Sequence, residues 1–221
     1  MNLQQKYTPR CLADIVGQAH VIRHLRLLVT EPHPCCLLFR GEPGTGKSAT
    51  AEALAHDLGC YTDKWWQTVY TVCAADFTVD AVRHWFGPET PFRFRAPGGW
   101  HVLVLEELED LSKECQRKCK DVFQRQLAQM HVIVVATSNT GGVKLDEALL
   151  ERFRRFAFSS GADFAEACQN EIAGRWQAET DGLSLPATWK CWGWNDGRLR
   201  FSMRLAMMAM QEALDTAAVA A

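Results

Sequence analysis

The first candidate functional segment of this chain is glycine-rich. It spans positions 41–48 and reads Gly-Glu-Pro-Gly-Thr-Gly-Lys-Ser. This is the G-x-x-x-x-G-K-S spacing of a P-loop, whose backbone N–H groups can wrap an anion closely because glycine has no Cβ. The apolar stretch 35–39 precedes it, and the stretch 49–58, rich in Ala, Glu and Leu, follows it. A strand, a loop and a helix N-terminus are the parts that a phosphate site needs. We therefore predict a phosphate site here, with a turn that binds nothing as the alternative.

Two side chains at the end of this segment have distinct predicted roles. Lys47 would reach the β- and γ-phosphates of a nucleotide, and the Ser48 hydroxyl would hold Mg²⁺. A P-loop holds phosphates but does not activate water. Acids at the end of a neighbouring strand are therefore needed as well.

Two carboxylates, Glu106 and Glu107, follow the apolar run 102–105. Such a run predicts a buried strand, and α/β sheets place their ligand crevices at the carboxyl ends of the strands. Glu106 would then contribute to the Mg²⁺ shell, and Glu107 would be the general base that takes a proton from the attacking water. The alternative is that the two acids simply end a strand.

Amide and guanidinium groups complete the set of candidates. Asn139 follows another apolar stretch, and its amide would orient the attacking water, unless the residue only serves a turn. Phosphoryl transfer also gains from a cation at the γ-phosphate, which a neighbouring subunit often supplies. The segment 149–155 holds Arg152, Arg154 and Arg155, which could supply it or could form a basic surface cluster.

The elements that must position these residues alternate between strand and helix. Apolar runs predict strands, and apolar residues at helical spacing predict helices. The predicted strands are 35–39, 68–73, 100–105, 131–136 and 156–158, and the predicted helices are 18–29, 49–58, 76–86, 111–129 and 145–153. This alternation predicts an α/β fold in which a P-loop parallel sheet is flanked by helices.

The sequence changes character near residue 160. Beyond it we find helical stretches and no convincing strand, and these stretches are 163–178, 186–193 and 197–214. We therefore predict two units, a nucleotide-binding α/β core at 1–160 and a small all-helical domain at 161–221.

Composition argues against several classes of protein. The chain has 221 residues, of which 48% are hydrophobic, and its formal net charge of −2 provides no global basic field for nucleic acid. The nine cysteines are scattered and favour reduced thiols. We find neither a signal-peptide pattern nor an apolar stretch long enough to span a membrane. We therefore expect a cytoplasmic protein with no membrane partner.

One predicted helix, 111–129, could still contact DNA. It carries a row of cations that could follow a DNA backbone or could be a solvated face paired with neighbouring acids. These cations are Lys113, Arg117, Lys118, Lys120 and Arg125. Cys115 and Cys119 lie one turn apart on the same helix, but we interpret them as ordinary thiols because no second pair lies at zinc-site spacing.

Taken in order, these motifs resemble those of AAA+ ATPases, and more closely those of the small subunits of DNA clamp loaders such as replication factor C. Segments 6–9 and 12–18 resemble the N-terminal clamp-loader motif that lies against adenine. Residues 41–48 correspond to the Walker A motif, and residues 105–111 lie at Walker B. The short segment 73–76 also resembles a motif that follows the second strand of clamp loaders.

Three single residues match further positions of the family. Asn139 matches sensor 1, and Arg152 lies where the arginine finger is expected. The segment 196–200 resembles the sensor 2 motif of the AAA+ lid, with Arg200 as its arginine. The all-helical domain would then be that lid.

The resemblance implies that ATP and Mg²⁺ are the cofactors. The implied ATP-binding residues are Tyr7, Pro9, Val16, Gly41, Glu42, Pro43, Gly44, Thr45, Gly46, Lys47, Ser48, Ala49 and Arg200. Ser48 would hold Mg²⁺ directly, and Glu106 would hold it through water. Glu107, Asn139 and Arg152 would be catalytic, with Arg152 acting on the ATP of a neighbouring subunit.

The implied function is ATP hydrolysis at subunit interfaces, coupled to assembly on, or remodelling of, a DNA-bound partner. The implied partners are other AAA+ subunits in a homo- or hetero-oligomeric ring or spiral, DNA, and a DNA-bound protein. The collar domain that follows the lid in clamp loaders has no counterpart in the sequence.

Two departures from the family pattern leave alternatives open. Glu106 stands where Walker B usually has Asp, which suggests an ATP-dependent assembly switch that hydrolyses slowly. Arg152 lies between Glu151 and Phe153, where clamp loaders have a Ser-Arg-Cys context. This leaves open an AAA+ remodeller of a protein client that has no role on DNA.

Overall fold

A five-stranded parallel sheet forms the centre of the molecule. The computed structural model describes residues 2–60, 68–96, 98–139, 145–194 and 200–220, with side chains described up to residue 216. The strands are β1 Cys35–Arg40, β2 Val69–Cys73, β3 His101–Glu106, β4 Val132–Ser138 and β5 Phe153–Ala157, in the spatial order β2-β3-β4-β1-β5. All neighbouring pairs are parallel. The carboxyl ends of the three central strands therefore meet at one edge, as the predicted site requires.

Eight α-helices connect and extend this sheet in the described part of the chain. They are α1 Leu3–Lys6, α2 Ala19–Thr30, α3 Lys47–Asp57, α4 Val79–Phe86, α5 Lys113–Arg125, α6 Glu147–Leu150, α7 Ala162–Glu179 and α8 Met203–Ala220. None of the described helices has an apolar stretch long enough to cross a membrane.

The sheet is buried on both faces, which explains why its central strands appear in the sequence as continuous apolar runs. All seven residues of β4 and the first five residues of β3 are buried. One face packs against α4, α5 and α6, and the other packs against α2 and α3. Such burial fixes the strand register, because a shift of one residue would exchange the side chains of the two faces.

The C-terminal helices have a hydrophobic core of their own. Phe164, Ile172 and Trp176 of α7 pack with Phe201 and with apolar residues of α8. Leu3 of α1 is buried in this same cluster. The N-terminal helix therefore packs on the helical unit, whereas Leu12, nine residues further on, packs on the sheet core.

The predicted element types are largely confirmed, and the boundaries differ where local turns intervene. The helix predicted at 76–86 starts at Val79 with Thr78 as its N-cap, after a 3₁₀ turn at Ala74–Asp76. The helix predicted at 111–129 ends at Arg125 and is followed by a second 3₁₀ turn, Leu127–Gln129.

Four predicted elements need correction. The helix predicted at 145–153 is the single turn of α6, and the last strand starts at Phe153, because Phe153 and Phe156 are buried as strand residues. Arg152 therefore lies in the turn before β5. The stretch 186–193 contains one 3₁₀ turn, Trp189–Cys191, where a helix was predicted. The last helix begins at Met203, and positions 197–199 of the stretch predicted at 197–214 lie outside the described residues.

Candidate active site

A cavity of about 490 Å³ lies at the carboxyl edge of the sheet, between the P-loop and the helical unit. Three parts of the chain line it: the N-terminal segment, the loops after β1, β3 and β4, and helices α7 and α8. The lining includes most of the predicted site residues, namely Tyr7, Pro9, Val16, Pro43, Gly44, Thr45, Gly46, Lys47, Ser48, Ala49, Glu106, Glu107 and Asn139. The tertiary structure thus brings together residues that are separated by more than a hundred positions.

The P-loop is wound around the ammonium group of its own lysine. Gly44 and Gly46 have φ values of +79° and +94°, a region that only glycine enters without strain. This winding turns the carbonyls of Gly41 and Glu42 toward Lys47, whose Nζ donates a hydrogen bond of 2.9 Å to each. Gly41 and Glu42 therefore serve the site through their backbones. A phosphate group would offer the same ammonium stronger, charged acceptors.

Burial lowers the pKa of Lys47, because the ammonium group loses contact with water. The charges of Glu109 and Glu42 act in the opposite direction, and the charge of Arg204 adds to the lowering. Arg204 is therefore close enough to Lys47 for their charges to interact.

Ser48 and Glu106, the two predicted metal ligands, meet directly. The Ser48 hydroxyl donates to Oε1 of Glu106 at 2.8 Å, although the residues are 58 positions apart. Hard oxygen donors of this kind suit Mg²⁺, which usually keeps several waters and takes few protein ligands. The donor set therefore fits the cation that the sequence predicts.

Glu107 has an unusual backbone conformation, with φ +56° and ψ +54° in the left-handed region. A residue with a Cβ occupies this region at a cost of about 1–2 kcal/mol. Its N–H donates to the Thr137 hydroxyl at 3.3 Å, and its exposed side chain lines the cavity. Backbone strain of this kind is common at functional sites, where the surrounding structure must hold it in place.

Asn139 reaches the same cavity from the end of β4. Its backbone N–H donates to Oε1 of Glu109 at 2.9 Å. Glu109 lies in a 3₁₀ turn, Leu108–Asp110, that directly follows Glu107. Glu109 had no predicted role, since nothing in its spacing indicates that it contacts a residue thirty positions away.

The opposite end of the cavity is formed by the N-terminal segment and α7. The Tyr7 hydroxyl donates to Glu179 at 2.5 Å, and the guanidinium of Arg175 lies 4.6 Å from the centre of the Tyr7 ring. Burial, together with the Glu179 hydrogen bond, raises the pKa of Tyr7 to about 12. Arg175 of α7 and Met207 of α8 also line the cavity. The sequence did not identify them as site residues, because long side chains on a helix are usually surface or core residues.

The structure separates two arginines of the helical unit. Arg200, the predicted sensor 2 residue, forms an ion pair with Glu42 at 2.5 Å and is not among the described residues that line the cavity. Arg204, in the first turn of α8, does line it. Because the Met203 N–H donates to the Gly44 carbonyl at 3.0 Å, this first turn rests directly on the P-loop.

Arg152 lies away from the cavity of its own chain. Its guanidinium donates to Gln124 at 2.7 Å and to Glu151 at 3.2 Å. It is not among the described residues that line the cavity. A role on ATP would therefore require the site of another subunit.

The chain matches the ATPase family associated with various cellular activities (AAA) over residues 37–160. This match covers more than half of the chain and extends from β1 past the end of β5. The chain therefore belongs to the AAA ATPase family.

Individual relatives agree with this family. The replication factor C small subunit of Aeropyrum pernix is 26% identical over 191 residues, which is 76% of this chain and 56% of that protein. Replication factor C subunit 3 of Saccharomyces cerevisiae is 32% identical over 155 residues, which is 70% of this chain and 44% of that protein. The chain spans about half the length of these curated relatives.

Solved structures share the fold. The RuvB Holliday junction branch migration motor of Thermotoga maritima superimposes with a TM-score of 0.71 over 97% of this chain and 67% of its own, at 18% identity. The predicted P-loop α/β fold and the resemblance to AAA+ ATPases and replication factor C small subunits are thus confirmed.

Proposed function

We propose that this chain binds and hydrolyses ATP in the cavity between the P-loop and the helical unit. The observation that carries the proposal is the meeting of Ser48 and Glu106 at 2.8 Å beside Lys47, with Glu107 on the same cavity wall. A phosphate cradle, two oxygen ligands for a cation and a carboxylate base are the groups that phosphoryl transfer to water requires. The division into a core at 1–160 and a lid at 161–221 is part of this proposal.

The reaction assigns one task to each group. The Lys47 ammonium exchanges its bonds to the P-loop carbonyls for phosphate oxygens. Glu107 accepts a proton from the attacking water, whose oxygen bonds to the γ-phosphorus as the bond from that phosphorus to the bridging oxygen breaks. The products are ADP and inorganic phosphate. Mg²⁺ held at Ser48 and Glu106 would neutralise phosphate charge.

Two further residues orient the reaction. Asn139 holds the attacking water by its amide, and Arg204 places a second cation near the phosphates from the lid side. We give Arg204 the sensor role because it lines the cavity and its charge reaches Lys47, whereas Arg200 is paired with Glu42. The adenine base of ATP contacts Tyr7, Pro9 and Val16, which line the same cavity.

The chain acts in an assembly of AAA+ subunits, in which Arg152 contacts the γ-phosphate of the neighbour. Its position outside the cavity of its own chain supports this assignment. A DNA-bound partner is supported by the names of the relatives, replication factor C and a Holliday junction motor. It is also supported by the exposed cations Lys113, Arg117 and Arg125 on α5.

Two substitutions test the ATPase proposal. Lys47→Ala is expected to abolish ATP binding, measured with a fluorescent ATP analogue. Glu107→Gln is expected to keep that binding and to lower turnover by about 10²-fold or more, because it removes only the base. Unchanged phosphate release in both variants would refute hydrolysis at this site.

A second function, a slowly hydrolysing ATP-dependent assembly switch, is favoured by one observation. The carboxylate of Glu106 reaches the Ser48 hydroxyl directly, at 2.8 Å. ATP-dependent oligomerisation with a turnover that stays near zero in the presence of DNA would favour the switch.

The role on DNA has its own test. ATPase activity that DNA stimulates, with a steep dependence on salt, is expected if the α5 cations contact a DNA backbone. Its absence at every salt concentration would favour a remodeller of a protein client without DNA.

A further inference from the structure

The backbones of the two candidate catalytic residues Glu107 and Asn139 are held where regular strand pairing has ended. The last residues that pair between strands β3 and β4 are Leu105 and Ala136. Beyond them the two strands no longer pair with each other. Backbone N–H groups that leave a sheet must find other acceptors when they are not solvated. In this molecule they find side chains of the opposite segment.

The two segments exchange hydrogen bonds reciprocally. The Thr137 hydroxyl, near the end of β4, accepts from the Glu107 N–H. The Glu109 carboxylate, after β3, accepts from the Asn139 N–H. Each segment thus holds the candidate catalytic residue of the other, so the relative position of Glu107 and Asn139 depends on both bonds.

The turn that carries Glu109 is rigidly anchored. Leu108 and Leu111 on either side of it are buried in the sheet core, with exposures of 0% and 3%. The Asp110 N–H donates to the Glu107 carbonyl at 2.8 Å, which closes the turn behind the left-handed Glu107. The Glu109 carboxylate is therefore presented to Asn139 from a fixed support.

The second oxygen of this carboxylate has a different environment. Glu109 Oε2 is buried and has no hydrogen-bond partner in the part of the chain that the structure describes. An unpartnered buried acceptor costs about 1–3 kcal/mol. It lies on the carboxylate whose other oxygen already holds the Asn139 backbone, and the side chain of the same Asn139 carries an amide donor.

We propose that Glu109 is a positioning residue for Asn139: Oε1 holds its backbone N–H, and Oε2 accepts its side-chain N–H when ATP occupies the cavity, which leaves the amide oxygen facing the attacking water. This inference rests on the proposed hydrolysis. The Glu109 carboxylate would thereby fix the orientation of the Asn139 side-chain amide. Glu109 acts through Asn139 and does not touch the substrate.

Kinetic variants of Glu109 test this role. Glu109→Ala is expected to lower kcat about tenfold to a hundredfold, with the dissociation constant of ATP changed less than about twofold, because a misplaced group affects the reaction and not the binding. Glu109→Gln keeps the Oε1 acceptor and replaces Oε2 by a donor, so its kcat is expected to lie between those of the wild type and Glu109→Ala. Asp110→Ala, in the same turn, is the matched control and should retain wild-type kcat.

A double substitution separates positioning from a general structural effect. In an Asn139→Ala background, Glu109→Ala is expected to cause little further loss, because coupled residues are not additive. Full additivity, or a Glu109→Ala variant with wild-type kcat, would overturn the proposal. Absence of turnover in the wild type would instead refute the proposed function.

Amide hydrogen exchange gives a readout that is independent of activity. Glu109→Ala, folded as judged by its thermal transition, is expected to exchange faster in the peptide that contains Asn139, whereas Glu109→Gln keeps the wild-type rate. Equal rates in all three proteins would show that the carboxylate does not hold this backbone, and the proposal would fail. If Glu109→Ala does not fold, the isosteric Glu109→Gln decides through its kcat: a wild-type value contradicts the role of Oε2.

Discussion

Two arginines only four residues apart, Arg200 and Arg204, have different surroundings in this structure. The guanidinium of Arg200 is neutralised by Glu42, and more than half of that side chain is exposed, at 57%. Arg204 lines the cavity near Lys47. A cation near developing phosphate charge lowers the barrier, whereas a paired surface cation contributes little.

We therefore predict different outcomes for the two alanine variants. Arg204→Ala is expected to lower kcat/KM for ATP about tenfold or more, because one charge-assisted contact to phosphate is lost. Arg200→Ala is expected to stay within about twofold of the wild type, since exposed ion pairs contribute little. Steady-state phosphate release measures both. The reverse order of effects would restore Arg200 as the sensor arginine.

Glu106 supports a second prediction at the scale of one residue. Its carboxylate reaches Ser48 directly at 2.8 Å. Glu106→Asp withdraws the carboxylate by one methylene and makes room for a ligand water, which Mg²⁺ prefers to keep. Turnover at saturating Mg²⁺ is therefore expected to rise severalfold, with ATP affinity unchanged. A fall in turnover would show that the longer acid is required.

At the scale of elements, the N-terminus of α8 and the P-loop form one unit. Three observations agree: the Met203 N–H bond to Gly44, the Arg200–Glu42 ion pair, and the close approach of Ser202 to Gly44. A Cβ added at Gly44 would lie 2.9 Å from the Ser202 Cβ, closer than real contacts allow. The lid therefore rests on a position where only glycine leaves room.

This contact predicts a rescue between the two elements. Gly44→Ala is expected to displace α8, so that amide exchange in the peptide containing Met203 becomes faster and ATP affinity falls. Ser202→Gly removes the atoms that the new methyl group meets, and the double variant is expected to regain slow exchange, although the strain at φ +79° remains. No rescue by Ser202→Gly would mean that backbone strain alone causes the defect.

A second connection between elements ties the N-terminal segment to α7. Glu179 accepts from Tyr7 and forms an ion pair with Lys6 at 2.7 Å. The pKa of Glu179 lies below its ordinary value, mainly because of the bond from Lys6 and next because of the bond from Tyr7. A carboxylate with a lowered pKa stabilises the fold above its unfolded pKa, and this contribution is lost as the pH falls through the folded value.

We predict the pH dependence of one variant from this sign. Glu179→Gln is expected to have a lower Tm than the wild type at pH 7. The difference should shrink as the pH falls below about 4, because protonation then removes the negative charge of the wild-type carboxylate. Thermal unfolding at several pH values measures this. A difference that stays constant with pH would show that the charge of Glu179 is not involved.

At the scale of the whole molecule, the proposed mechanism requires Arg152 from a second copy or from another AAA+ subunit. In its own chain this side chain donates hydrogen bonds to Gln124 and Glu151 from the turn before β5, and it is not among the described residues that line the cavity. Under this proposal the chains must associate, because each chain would hold a base for its own cavity and an arginine for the cavity of its neighbour.

A mixing experiment tests this sharing. Arg152→Ala and Glu107→Gln are each expected to have little activity alone. Mixed together, they form some interfaces with an intact Glu107 from one chain and an intact Arg152 from the other, so turnover should rise to a maximum near equal amounts. No rise at any ratio would contradict a site shared between subunits.

Much of the site was predictable, because its signals are local in the chain. The P-loop residues 41–48 are contiguous, and Glu106, Glu107 and Asn139 each follow an apolar strand that ends at one edge of a parallel sheet. A parallel sheet with both faces covered requires long apolar runs, so the strands could be identified without a structure. These features depend on covalent order and hydrophobic pattern alone.

Contacts between segments that are distant in the chain could not be predicted, because no local pattern of the sequence links them. The docking of α8 on Gly44 places Arg204 in the cavity lining, and a turn that bends back after a left-handed residue connects Glu109 to Asn139. The spacing of residues along a chain specifies the elements. The direction of one side chain across a gap depends on how those elements pack, and packing energy is a property of the whole fold.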